Sequence, residues 1–257
     1  MTEVFWNRMT APELRDLAAK DAIVLLPVAS TEQHGPHLAT GVDTFLAGEG
    51  CRRTALIVAG KRPIVVAPTV WMGLAEHHVA FGGTFSISLP TYHALLRDLC
   101  GSILRAGFKK ILIVNGHGGN IAALTALTTD LHRELGAPIA TTTLYTLPHE
   151  AGAFEPVLDD QKGVQHACEA ETSMMMAHAP DCVRQAKLAE AHGAADISGS
   201  ALKRPLLVWK SFQDITASGV VGDARKASAK KGEALLDIAA RLLAEKLIAG
   251  EPWASQS

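Results

Sequence analysis

Four short stretches hold the residues best able to do chemistry. VASTEQHGPHLATGVDTFLA (28–47) carries Glu32, His34, His37 and Asp43, broken by Gly35, Pro36 and Gly41. AEHHVAFGGTFSIS (75–88) brings His77 and His78, NGHGGN (115–120) brings His117, and HACEAETS (166–173) brings His166, Glu169 and Glu171. The donors are carboxylate oxygen and imidazole nitrogen, a set that suits Zn²⁺, Mn²⁺ or Fe²⁺. Cys51, Cys100, Cys168 and Cys182 form no CxxC pair, so thiolate ligation is not indicated. Two or three carboxylates with two histidines exceed what one catalytic zinc needs; a carboxylate bridging two metals uses the surplus.

Each stretch also has a plainer reading. In extended chain Glu32 and His34 project to one side, but Asp43 heads a helix, where it is equally placed to act as a cap. Glycines between a strand and a helix often cradle an anion, yet NGHGGN matches neither GxGxxG nor GxxxxGK[ST]; the other reading keeps His117 as a ligand with small neighbours that admit a substrate. On a helix His166 and Glu169 share a face and Glu171 projects elsewhere, so spacing does not rank the two glutamates, and acids at a helix N-terminus need no further explanation. Met174–Met176 read as core filler.

The surrounding elements argue for one metal site. AIVLLPV (22–28), PIVVAPT (63–69), KILIVN (110–115) and PIATTTLY (138–145) read as buried strands. Thr10 opens the first helix, with Glu13 three residues on as in a capping box. Thr91 opens a second helix that ends near Gly107. Residues 121–135, 169–179 and 226–250 read as further helices, and 146–165 is irregular. This rhythm predicts an α/β fold with a mostly parallel sheet covered on both faces. Active sites of such sheets lie beyond the carboxyl ends of the strands, and the first three strands each run into a histidine-bearing stretch. One domain over 1–257 is the simplest reading.

Bulk properties narrow the partners. The 257 residues are 48% hydrophobic and carry a net charge of −2, so there is no electrostatic case for nucleic acid or an acidic membrane. No apolar run approaches the ~20 residues of a membrane span. The N-terminus lacks a signal pattern, and unpaired thiols fit a cytoplasmic protein. The absence of GxSxG argues against a serine nucleophile.

STEQHGPHL…D, EHHVAFGGT, NGHGGN and HACEAETS in this order, with the later GVVGD (219–223), resemble the creatininase (creatinine amidohydrolase) family over roughly residues 20–225. The resemblance implies a three-layer α/β/α fold, a binuclear centre of Zn²⁺ and/or Mn²⁺ with Fe²⁺ an option, and hydrolysis of a C–N bond in a small amide, cyclic amide or formamide. It implies a homo-oligomer, commonly a hexamer. By motif, Glu32, Asp43 and His117 hold one metal, while His34 and the bridging Asp43 hold the other. His166 is the acid/base group, His78 lies in the substrate pocket, and Gly118 and Gly119 line it. Creatininase has a glutamate metal ligand where this chain has Gly119, which makes creatinine itself a doubtful substrate. Glu171 is the expected replacement, because ETS recurs in NGHGGN-type relatives and Glu171 opens the apolar run TSMMMA. Glu169 is the alternative; it precedes that run and could stay solvated. A binuclear phosphoesterase and a non-catalytic metal-binding regulator are the rival functions; nothing resembles a P-loop, and basic residues near the motifs are few.

Overall fold

The computed structural model describes residues 2–159, 161–194 and 208–254. Four strands, β1 (Ile23–Val28), β2 (Ile64–Val66), β3 (Lys110–Asn115) and β4 (Ala140–Thr143), form a parallel sheet in the order β2-β1-β3-β4. β1 pairs with β3 along its whole length, from Ile23 opposite Lys110 to Val28 opposite Asn115. Their carboxyl ends therefore stop level, and the segments that follow start side by side.

Alternation along β1 divides the core. Ile23 and Leu25 face one cluster with α2 (Val42–Val58), α6 (Glu169–His178) and α7 (Ala229–Ala249), where Leu46, Met174, Leu235 and Leu243 are buried. Val24, Leu26 and Val28 face a second cluster with α3 (Leu89–Arg105) and α4 (Ile121–Leu135), where Leu96, Leu127 and Leu131 are buried. The result is a sheet covered on both faces, as the strand–helix rhythm predicts. α1 (Ala11–Ala19) keeps its capping box, with the Glu13 carboxylate accepting from the Thr10 N–H at 2.7 Å. Among the described residues no helix is long and apolar enough to cross a membrane.

Several boundaries differ from the sequence expectation. α3 begins two residues before Thr91, because Ser88 is its cap and Pro90 sits in the first turn, where a missing N–H costs nothing. β2 is shorter than 63–69, since prolines at both ends of that run donate no ladder hydrogen bond. β4 covers Ala140–Thr143 of 138–145. α7 starts after Ser228, whose hydroxyl accepts from the Lys231 N–H at 3.3 Å. Among the described residues the irregular 146–165 stretch contains one short helix, α5 (Thr146–Glu150).

Candidate metal centre

The segment after β1 and the loop after β3 meet at one place. Glu32, His34, Asp43, His117 and Glu171 are all at least 95% buried. His117 Nδ1 lies 3.1 Å from Glu32 Oε2 and 3.1 Å from Asp43 Oδ2. His34 Nε2 lies 3.3 Å from Asp43 Oδ1 and 3.8 Å from Glu171 Oε2. The two oxygens of Asp43 thus face different histidines, one from each neighbouring strand end. Among the described residues three groups have ligand atoms within 4.8 Å of one another: Glu32–Asp43–His117, His34–Asp43–Glu171, and Glu32–His34–His166.

Local structure sets this up. α2 begins at Val42 after Gly41, so Asp43 sits inside the first turn and makes no capping hydrogen bond; its carboxylate turns to the histidines instead. The loop after β3 is held by its two asparagines. Asn115 Oδ1 accepts from the His117 N–H at 3.1 Å, and Asn115 Nδ2 donates to the His117 carbonyl at 2.7 Å. Asn120 Oδ1 accepts from the Leu74 N–H at 3.0 Å. Ala167 adopts a left-handed φ of 52°, rare for a residue with a side chain, and its N–H donates to Glu171 Oε2 at 2.6 Å. That turn separates His166 from α6 and lets both reach the cluster.

Backbone carbonyls orient the imidazoles. A carbonyl only accepts, so each nitrogen beside one carries the hydrogen. His34 Nδ1 donates to the Glu32 carbonyl at 3.1 Å, His117 Nε2 to the Leu74 carbonyl at 3.2 Å, and His166 Nε2 to the Gln33 carbonyl at 2.8 Å. The other nitrogen of each ring then points a lone pair into the cluster, the arrangement by which metal-binding histidines are held.

Lone pairs therefore face lone pairs, which is repulsive unless a cation lies between them. Glu32 Oε2, His34 Nε2 and Asp43 Oδ2 are buried without a hydrogen-bond partner, and each unpaired buried charge costs several kcal/mol. Protons meet the demand in part. Burial opposes charging of His34, but Asp43, then Glu171 and Glu32, outweigh it and raise the pKa to about 9. His117 is raised in the same way by Glu32 and Asp43. Burial lifts Glu171 to about 8, partly offset by His34. Asp43 is pulled down by His34 and His117 against its burial. Two divalent ions would satisfy all five side chains at once, so the residues present fit the binuclear centre that the sequence implies.

Other expected residues need correction. Glu169 is not solvated: it is fully buried, receives Lys231 Nζ at 2.5 Å and the Asp159 N–H at 3.2 Å, and takes no part in the cluster. It opens α6 two residues before Glu171, and that offset turns it to the other side of the helix. His78, expected in the substrate pocket, is only 2% exposed and lies behind Glu32, with Nε2 at 3.3 Å from Glu32 Oε1. Gly118 is exposed, with open space where a side chain would stand. Gly119 does not open a pocket; a Cβ there would meet His117 Nε2 at 2.4 Å, the Leu74 carbonyl at 2.5 Å and His77 Cε1 at 2.8 Å. A glutamate at this position would break the bond that orients His117, which accounts for the glycine. His37 donates to or accepts from Thr172 Oγ1 at 2.7 Å and braces α6.

Sequence reasoning missed four contributors. Gln33 lies between two expected ligands and points away from both. Asn115 and Asn120 bracket a quoted motif, and a side-chain amide at a strand end was their signal. Phe212 covers His78 and His166 at ring distances of 4.2 and 4.8 Å; it lies outside every quoted motif, and nothing in its local sequence marks it.

A parallel sheet with buried carboxylates and imidazoles gathered at its carboxyl edge has the donor set of a divalent-metal site. The sequence pattern of the creatininase family, described as creatinine amidohydrolase, matches residues 7–247, and the chain belongs to that family. It is 29% identical to 3-dehydro-scyllo-inosose hydrolase of Thermotoga maritima, over 94% of this chain and 83% of that one. It is 31% identical to the mycofactocin precursor peptide peptidase of Mycolicibacterium smegmatis, over 85% and 81%. Among solved structures it is similar to creatininase, with a TM-score of 0.82 at 25% identity over 98% and 99% of the chains. A mutant creatininase of Zn–Zn type superposes with a TM-score of 0.80 at 25% identity over 98% and 100%.

Proposed function

We propose that this protein hydrolyses the C–N bond of a small amide, cyclic amide or formamide at a binuclear metal centre. The observation that carries the reading is Asp43, whose two oxygens face His117 and His34 separately. Glu32, Asp43 and His117 would hold one ion; His34, Asp43 and Glu171 would hold the other. When bound, ions of the zinc or manganese type polarise the substrate carbonyl and lower the pKa of water toward about 7.

The chain's own groups do the rest. Burial keeps His166 below its ordinary pKa and so neutral. Its Nδ1 carries a lone pair, 3.6 Å from Glu32 Oε1. His166 therefore first takes a proton from the attacking water and then returns it to the leaving nitrogen, which is too basic to depart as an anion. The backbone at Gly118 leaves room for the substrate. Hydrolysis is what the relatives' names have in common; formamides, lactams, cyclic imides and short peptides are the classes to assay. Turnover of at least one class, lost on chelation and restored by zinc or manganese, is the expected result. No turnover by metal-replete protein, or turnover indifferent to chelation, would overturn the proposal.

Glu171→Gln is expected to lose one metal equivalent by elemental analysis, because the amide is a neutral and weaker ligand. Glu169→Gln should keep both equivalents and instead lower the thermal midpoint, since it leaves Lys231 only the exposed Asp159 as a carboxylate partner, a loss of about 1.5 kcal/mol. The opposite pattern would move the second site to Glu169.

The protein is also proposed to be a homo-oligomer. Trp71 and Phe85 are 44% and 60% exposed and pack edge to face at 5.5 Å. Beside them an open, mostly apolar cavity of about 380 Å³ is lined by Trp6, Leu26, Val70, Trp71, Leu95 and Leu99. Contiguous apolar surface of this kind marks association. Light scattering should give a multiple of 27.2 kDa, six copies by family resemblance; a monomer at micromolar concentration would count against it.

A further inference from the structure

Gln33 touches two imidazoles that lie outside the two ligand groups sharing Asp43, and the hydrogen bonds around it leave few choices. Its Oε1 accepts from the Gly35 N–H at 2.9 Å, which settles which end of the amide carries hydrogens. Its Nε2 lies 3.2 Å from the Gly219 carbonyl, 2.9 Å from His78 Nδ1 and 3.0 Å from His166 Nε2. His166 Nε2 already donates to the Gln33 backbone carbonyl at 2.8 Å, so it cannot also accept. The two amide hydrogens go to the Gly219 carbonyl and to His78 Nδ1. His78 must then carry its own hydrogen on Nε2, where it donates to Glu32 Oε1 at 3.3 Å.

We propose that Gln33 is a positioning residue that sets two stacked histidines to opposite tasks. Its side chain fixes His78 as a hydrogen-bond donor that holds the Glu32 carboxylate. Its backbone carbonyl fixes His166 with a bare Nδ1 free to accept a proton. The rings stack at 4.4 Å, and Phe212 covers both, so water does not compete for these bonds. The chain keeps the space for Gln33: a Cβ on Gly219, whose φ is 75°, would fall 2.2 Å from Gln33 Oε1. This gives the GVVGD motif a task, since its first residue takes the Gln33 hydrogen bond and the Val221 N–H donates to the His166 carbonyl at 2.9 Å. The tautomer assignment stands on these contacts alone; its catalytic consequence rests on the amidohydrolase reading above.

The test is nitrogen-15 spectroscopy of the histidine rings in zinc-loaded protein, with signals assigned by single histidine substitutions. Wild type should show His78 and His166 as neutral Nε2–H rings, with His78 Nδ1 displaced as a hydrogen-bond acceptor. Gln33→Leu should free His78 from that single tautomer. Gln33→Glu, which puts an acceptor where the amide donor stood, should move a proton onto His78 Nδ1. Both variants should retain the wild-type metal content and KM and lose kcat by about 10- to 100-fold, the range for groups that orient a metal site from behind. A wild-type His78 protonated on Nδ1 would overturn the assignment even if neither variant folds, and so would one tautomer shared by all three proteins. An altered tautomer with unchanged kcat would overturn the catalytic half. A wild type that shows the expected tautomers but turns over no amide refutes the amidohydrolase reading and leaves the assignment standing.

Discussion

Asp43→Ala is expected to bind neither metal tightly and to lose at least about a thousand-fold in turnover, with its helix content intact. The size follows from what the side chain does. Each Asp43 oxygen is directed at a different histidine, so removing the carboxylate takes a ligand from both proposed ions and the only group joining them. Metal stabilisation of the charge that develops on a reacting carbonyl is worth several kcal/mol, and about 4 kcal/mol corresponds to a thousand-fold. The competing role, a helix cap, predicts something much smaller: about 1 kcal/mol of stability, with both metals and activity retained. Elemental analysis, a thermal scan and an assay separate the two outcomes. Full metal occupancy with normal turnover would refute the bridge. The structure already weighs against the cap, because Gly41 precedes the helix and Asp43 makes no capping bond.

The parts of this site legible from sequence are those governed by local rules. β1 and β3 are uninterrupted branched apolar runs, and their ends deliver Glu32, His34 and His117 to neighbouring positions because parallel strands in register stop together. Glu32 and His34 reach the same cluster, as the two-residue period of an extended chain requires. What failed depended on partners distant in sequence. Glu169 looked solvated because the residue that neutralises it, Lys231, lies 62 positions away on α7. His78 looked like a pocket residue because nothing in EHHVAFGG says which of two adjacent histidines turns inward; Glu32 and Gln33 decide it, and both belong to another motif. Gly119 was read as absent bulk in a pocket, whereas the contact that forbids a side chain is the approach of His117, His77 and the Leu74 carbonyl. A motif marks the place of a site, but the assignment of tasks within it is a property of contacts.

The sharpest separation of tasks falls between His166 and the ligands beside it. His166→Ala is expected to keep both metal equivalents and to lose kcat by about a hundred- to ten-thousand-fold, the usual contribution of a positioned acid or base. Proximity alone does not dictate this, because His166 Nδ1 is near enough to Glu32 and His34 to complete a metal group of its own. Three observations favour the proton-transfer task. Glu32 and His34 already belong to the two groups that share Asp43. His166 is 12% exposed on its side chain whereas those two are at most 1%, so it stands at the rim, where a substrate nitrogen arrives. Its Nε2 hydrogen is committed to the Gln33 carbonyl, which leaves Nδ1 as its one site for a travelling proton. The variant should therefore bind substrate with little change in KM, and added imidazole should restore part of its turnover by entering the space that the ring vacates. Loss of a metal equivalent in His166→Ala would instead make His166 a ligand. The proton would then have to be carried by another group, and His78 is poorly suited, because both its nitrogens are already engaged.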